Sequence, residues 1–131
     1  MNYKEFIGHV QHRLEYGQFG HAVRTTRAVL TTLGERIQEG EATDLASPIP
    51  MEIDRYLTEV EHGQRFDYQE FLDRVAERDR GGVDGADANY RAQQVLAVVA
   101  ADVPAGNLEK IRDQLPDDFE PLFDHLETPT K

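Results

Sequence analysis

Apolar residues recur along this chain at steps of three and four, the spacing of one face of an α-helix. Tyr3, Phe6, Ile7, Val10 and Leu14 make the first such stripe. Asn2 stands before it as an N-cap, and Glu5, three residues later, supplies the capping-box partner. A longer stripe of Ala22, Val23, Thr26, Val29, Leu30, Leu33 and Ile37 covers about 120° of helix at ~100° per residue, with Arg24, Arg27 and Glu35 outside it. The pattern predicts an amphipathic opening helix followed by a long core helix. Gly40 marks a break near the start of a shorter third helix. Pro50 precedes Ile53-Asp54-Arg55-Tyr56-Leu57, a tolerated place because the first helical turn needs no donor.

The same series then runs again. Tyr3-Lys4-Glu5-Phe6-Ile7 returns as Tyr68-Gln69-Glu70-Phe71-Leu72, an offset of 68 − 3 = 65, and Val10 falls on Val75. Val29-Leu30 matches Val95-Leu96 at 95 − 29 = 66, and this register continues to the end of the unit. Leu33 meets Val99, Ile37 meets Val103, Gly40 meets Gly106, Leu45 meets Ile111, and Ile49-Pro50 meets Leu115-Pro116. Ile53, Tyr56 and Leu57 meet Phe119, Leu122 and Phe123. Glycine and proline match along with the hydrophobics, which points to a duplicated structural unit. Asp67 and Glu70 repeat the capping box, and the second core stripe is Ala88, Ala92, Val95, Leu96, Val99 and Val103. Pro121 should shorten or distort the last helix. Loops are expected from Thr58 to Arg65 and from Arg80 to Gly85. The fold expected is all-α, about eight helices arranged as two tandem four-helix repeats, residues 2–57 and 67–126. Because neither half buries its apolar face alone, residues 1–131 are read as a single domain.

Several of these motifs occur together in a known family. Tyr-x-x-Phe-[Ile/Leu]-x-x-Val, the helix end Val-Leu-x-x-Leu-Gly-Glu-Arg-Ile, the Gly-Glu-Ala-x-Asp-Leu turn and the later Leu-Pro-[Asp/Glu] resemble the small acidic bacterial and archaeal proteins grouped as domain of unknown function 2267. The resemblance spans about Asn2 to Leu126 and implies an all-helical, two-repeat domain. It carries no catalytic residue over. Pro121 and Gly81-Gly82 depart from the usual continuous helices of the second copy.

Charge narrows the classes of partner. Twenty-five acidic and fourteen basic residues leave a formal charge of −11, which repels nucleic-acid backbones and anionic membrane surfaces. Lys4, Lys110 and Lys131 are the only lysines. Abundant carboxylates with so few lysines suit a halophilic cytoplasm, where salt screens repulsion over a few ångströms. The absence of cysteine excludes disulfides, thiolate metal sites and cysteine nucleophiles. The N-terminus has no apolar signal core, and the apolar run from Val95 to Ala101 is far short of the ~18 residues that span a bilayer. A cytoplasmic protein is expected.

Candidate chemistry is sparse. Glu5, His9, His12 and Tyr16 follow one another at steps of four, three and four, so one helix face could offer a carboxylate and two imidazoles to zinc or nickel. Measured from the apolar stripe, however, His9 lies about 120° and His12 about 180° away, on the solvent side. Their equivalents in the second copy are Arg74 and Glu77. A metal role further requires a third imidazole, His21 or His62, to converge on them. Asp79, Asp84 and Asp87 around glycines suggest a calcium loop, yet Gly81 and Val83 occupy ligand positions, and a turn with Asp84 capping the next helix accounts for the run. Ser47 lacks a nucleophile elbow, Asp117, Asp118 and Glu120 read as a solvated acidic face, and no phosphate-binding glycine loop is present. Tyr16, Phe19 and Phe66 are expected to cap the core.

These features point to a non-enzymatic protein-interaction or self-association module without cofactor, its site in the groove between the two halves. The alternative is a metal-binding protein using Glu5, His9 and His12. An acidic mimic of nucleic acid would need carboxylates in a double row.

Overall fold

A computed structural model describes residues 1–79 and 85–127. Among these residues there are eight α-helices and no strand: α1 (Tyr3–Leu14), α2 (Phe19–Arg36), α3 (Glu39–Ala46), α4 (Met51–Thr58), α5 (Tyr68–Asp79), α6 (Gly85–Asp102), α7 (Ala105–Gln114) and α8 (Glu120–Phe123). The fold is all-α, as the periodicity predicts. Helix lengths run 12, 18, 8 and 8 residues, then 12, 18, 10 and 4, an order compatible with two related units.

The first cap is as expected: the Glu5 N–H donates to Asn2 Oδ1 at 2.8 Å, and the Asn2 N–H donates to Glu5 Oε1 at 3.0 Å. Only half of the second box forms. The Glu70 N–H reaches Asp67 Oδ1 at 2.9 Å, but the Glu70 carboxylate turns to Arg74, whose charge outbids a neutral amide. Gly40 and Gly106 are the second residues of α3 and α7, and the breaks fall just before, at Gln38 and Pro104. Pro50 caps α4, and Pro116 caps a short 3-10 turn at Asp117–Phe119. Pro121 lies in a helix of only four residues, flanked by 3-10 turns, the shortening that its ring enforces. The cap expected from Asp84 lies outside the described residues.

The buried apolar side chains form one cluster, from Phe6, Ile7 and Val10 of α1 to Leu122 and Phe123 of α8. Helix α2 is its axis, packing against α1, α4, α5 and α6. Contacts cross between the halves: α5 lies on α2, α1 lies on α6, and α3 touches α7. This placement explains why Thr25, Ala28 and Thr32, outside the predicted stripe, are also buried. A helix with neighbours on several sides has no single apolar face.

The connection between α4 and α5 is pinned along its length. The Gly63 and Gln64 N–H groups donate to the carbonyls of Ile37 and Glu35, each at 2.9 Å, with Gly63 at φ +76°. His62 places Nδ1 2.8 Å from the Gly34 carbonyl and Nε2 3.2 Å from that of Thr58, so a doubly protonated ring donates to both and a neutral ring to one. Phe66, buried as expected, lies under the guanidinium of Arg74 (4.0 Å) and near that of Arg36 (5.9 Å).

Helices α2 and α4 come close together at Gly34, where a Cβ would stand 2.5 Å from the Leu57 carbonyl oxygen. Gly34→Ala must push these backbones apart and should cost about 1–3 kcal/mol in urea unfolding. Gly8→Ala, in open space within α1, should instead gain up to ~1 kcal/mol from helix propensity. Equal effects at the two positions would contradict the close approach.

Candidate functional site

The metal candidates are placed first. Glu5, His9 and His12 lie on the exposed side of α1, and Glu5 is engaged in the N-cap. Neither further imidazole joins them. His21 stacks on Tyr16 with ring centroids 3.6 Å apart, and His62 sits between two carbonyls in the α4–α5 connection. Among the described residues, no group of three or more His, Asp or Glu side chains comes together at metal-binding distance. Tyr16 is half-buried as a core cap, whereas Phe19 stays 40% exposed, its ring edge-on to Tyr3 at 6.0 Å.

The concentrated polar chemistry lies elsewhere, where α5 ends against α2. Asp79 is fully buried there. Its Oδ2 accepts from Arg91 Nη1 at 2.8 Å, and the Thr25 hydroxyl donates from 2.8 Å of Oδ1 and 3.0 Å of Oδ2. Because that hydroxyl hydrogen is committed to the carboxylate, Tyr16 Oη, 3.1 Å away, must donate to Thr25 Oγ1. Arg24 Nε donates to the Asp79 main-chain carbonyl at 2.8 Å, with Oδ1 at 3.4 Å, and so caps the negative end of α5. Burial raises the Tyr16 phenol above its ordinary pKa. Burial, helped by Arg24, also holds the His21 imidazole below its ordinary value.

This centre was missed by pattern reading, although a signal was available. The α5 stripe of Tyr68, Phe71, Leu72 and Val75 continues at 75 + 4 = 79, which puts an aspartate on the apolar face. At the 65-residue offset, position 79 corresponds to Leu14. An acid on an apolar helix face demands partners. Two of those it has, Thr25 and Arg91, are themselves 91 − 25 = 66 apart.

A second ion network follows along the same helix pair. Arg78 Nη1 and Nη2 grip the two Glu35 oxygens at 2.8 Å each, and Nη1 also reaches Thr32 Oγ1 at 2.9 Å. Arg74 reaches Glu35 at 3.0 Å and Glu70 at 2.6 Å. Burial by itself would raise Glu35, but the hydrogen bonds and charges of Arg78 and Arg74 outweigh it and hold the carboxyl below its ordinary pKa.

Beside these networks a groove of about 500 Å³ runs between α2 and α5, lined by Arg24, Arg27, Ala28, Thr31, Glu77 and Arg78. A hollow of about 220 Å³ lies on the other flank of α2, lined by Arg27, Thr31, Arg55, Tyr56, Glu59 and Val60. The two share Arg27 and Thr31 and so form one strip from α4 across α2 to α5. Four arginines and two glutamates line it, a surplus of 4 − 2 = +2 on a chain of −11.

Comparison with known proteins bears on this site only through the fold. A family model described as "Uncharacterized conserved protein (DUF2267)" matches residues 3–122. No curated protein matches the chain.

Asp79→Ala leaves Arg91 and Thr25 facing an uncompensated hole and should cost about 3–5 kcal/mol in urea unfolding; a loss below ~1 kcal/mol would show that the carboxylate is not the tie it looks to be. Glu35 supports a pH prediction. Its folded-state pKa lies below the ordinary 4.5, so its stabilisation is fully present above about pH 4.5 and is lost as pH falls through the folded value. The stability gap between the natural chain and Glu35→Gln should therefore be constant near neutrality and shrink under acid, as followed by thermal melts from pH 7 to pH 3.

Proposed function

The chain belongs to the DUF2267 family of uncharacterized conserved proteins, and from that starting point we propose that it is a non-enzymatic interaction module. The observation that carries this reading is the arginine-lined groove between α2 and α5. Arginine side chains in an open groove are suited to recognition, because a guanidinium offers five fixed donors and a face that stacks on aromatic rings. The groove also lies where a helix of the first half meets one of the second, the kind of seam at which binding sites form. The two ion networks beside it hold α2 and α5 in fixed relation, so the groove is present before a partner arrives.

For the setting we propose a salt-rich cytoplasm, a reading supported by acidic residues outnumbering basic ones by 25 to 14. Among the described residues no helix is long and apolar enough to cross a membrane. The alternative, metal binding through Glu5, His9 and His12, draws support only from their spacing along α1, since Glu5 is tied to the cap and His21 and His62 are engaged elsewhere.

The absence of cysteine makes a direct test possible, because a single introduced thiol is unique. Thr31→Cys, in the middle of the strip, is labelled with a photo-crosslinker and irradiated in extract, with His12→Cys on the outer side of α1 as control. An interaction module yields one defined crosslinked species, a partner or a second copy, from position 31 and not from position 12. Identical patterns from both positions would remove the groove as the contact face.

A further inference from the structure

The strip's donors are unequally spent, and this identifies what it can hold. Arg24 uses Nε on Asp79, leaving its two terminal amino groups without a hydrogen-bond partner among the described residues. Arg78 commits both terminal amino groups to Glu35 and Thr32 and keeps Nε. The Arg27 side chain makes no hydrogen bond among the described residues; its guanidinium lies 6.0 Å from the Tyr56 ring. The Arg55 side chain likewise makes none among them. Guanidinium groups held in the open while carboxylates outnumber them on the chain as a whole are complementary to carboxylates from elsewhere.

The layout sets the length of the occupant. The arginines stand on three helices, α4, α2 and α5, and packed helices have axes ~8–10 Å apart. The strip therefore spans about 16–20 Å, the reach of five or six residues of extended chain at ~3.3 Å each. A single phosphate or carboxylate ion could not touch both Arg55 and Arg78. Between them Ala28, Thr31, Tyr56 and Val60 offer little charge and a ring on which a flat side chain can lie.

Resting on the interaction reading above, we infer that the occupant of this strip is a short extended acidic segment of a partner protein, its Glu or Asp side chains paired with Arg55, Arg27 and Arg24. A second copy of this chain fits less well, because its described carboxylates are carried mostly on packed helices, whereas an extended segment can follow the strip and bring one to each arginine. A nucleic-acid strand is disfavoured by the chain's formal charge of −11.

The test uses the full chain and a fluorescein-labelled eight-residue peptide of alternating glutamate and alanine with one central tyrosine, read by anisotropy. The glutamine version of that peptide, an eight-nucleotide oligothymidine and inorganic phosphate serve as comparison probes. The glutamate peptide should bind at least tenfold tighter than the glutamine peptide. Arg27→Gln with Arg55→Gln should abolish that preference while leaving the thermal melt unchanged, since neither side chain holds a hydrogen bond within the described fold. Arg27→Glu with Arg55→Glu should transfer the preference to a lysine version of the peptide. Unaltered binding in the glutamine double variant would overturn the location. Tighter binding of the oligothymidine, or displacement of the peptide by millimolar phosphate, would overturn the occupant's class. Dimers seen by sedimentation and lost in the double variant would assign the strip to a second copy instead. Absence of binding by every probe overturns the acidic segment alone, because crosslinking from position 31 decides separately whether the groove is a contact face.

Discussion

A carboxylate removed from water governs the arrangement of this molecule. Asp79 ends α5 in the position where a helix end is least hospitable to negative charge, and burial adds a desolvation cost. It is tolerated because Arg91 from α6, Thr25 from α2 and, at its main-chain carbonyl, Arg24 surround it. These groups belong to both halves of the chain. Satisfying one charge thus fixes α2, α5 and α6 relative to one another, and through Tyr16 and its stacked partner His21 it fixes the turn between α1 and α2 as well. The groove beside it has the shape it has because Arg24 is held by its Nε, with its outer edge turned to solvent.

Much of the fold was legible in the sequence because burial in a helical protein is periodic. Every residue of the second predicted core stripe, from Ala88 to Val103, is buried, and so are Phe6, Ile7 and Val10 of the opening helix. Periodicity says less about a helix surrounded by others, which is why Thr25 and Thr32 escaped notice. The breaks expected near Gly40 and Gly106 fall just before them: both glycines lie inside the first turns of α3 and α7, which start from residues with extended backbone. Among the described residues, the glycine that a close approach demands is Gly34, within α2; the sequence shows it only as part of a motif, since the reason for it is the Leu57 carbonyl across the interface.

The site was less legible than the fold, and for a physical reason. Glu5, His9 and His12 stand out in a sequence because their types are uncommon together, but residue type does not bring side chains to a point. The arginines of the strip looked like ordinary solvated positions, since Arg24, Arg27, Arg55 and Arg78 are scattered over three helices whose packing alone makes them neighbours.

The crossing of contacts between the halves has a consequence during synthesis. Because α5 lies on α2 and α1 on α6, the first four helices cannot complete their core from their own residues. As the chain leaves the ribosome, the faces of α1 and α2 wait for residues 68–102, which at ~5–20 residues per second arrive over roughly 2–7 s. During that interval the nascent half carries an uncovered apolar face. Its dense carboxylates are then its main protection against neighbours in the same state, a service the acidic composition performs before any fold exists.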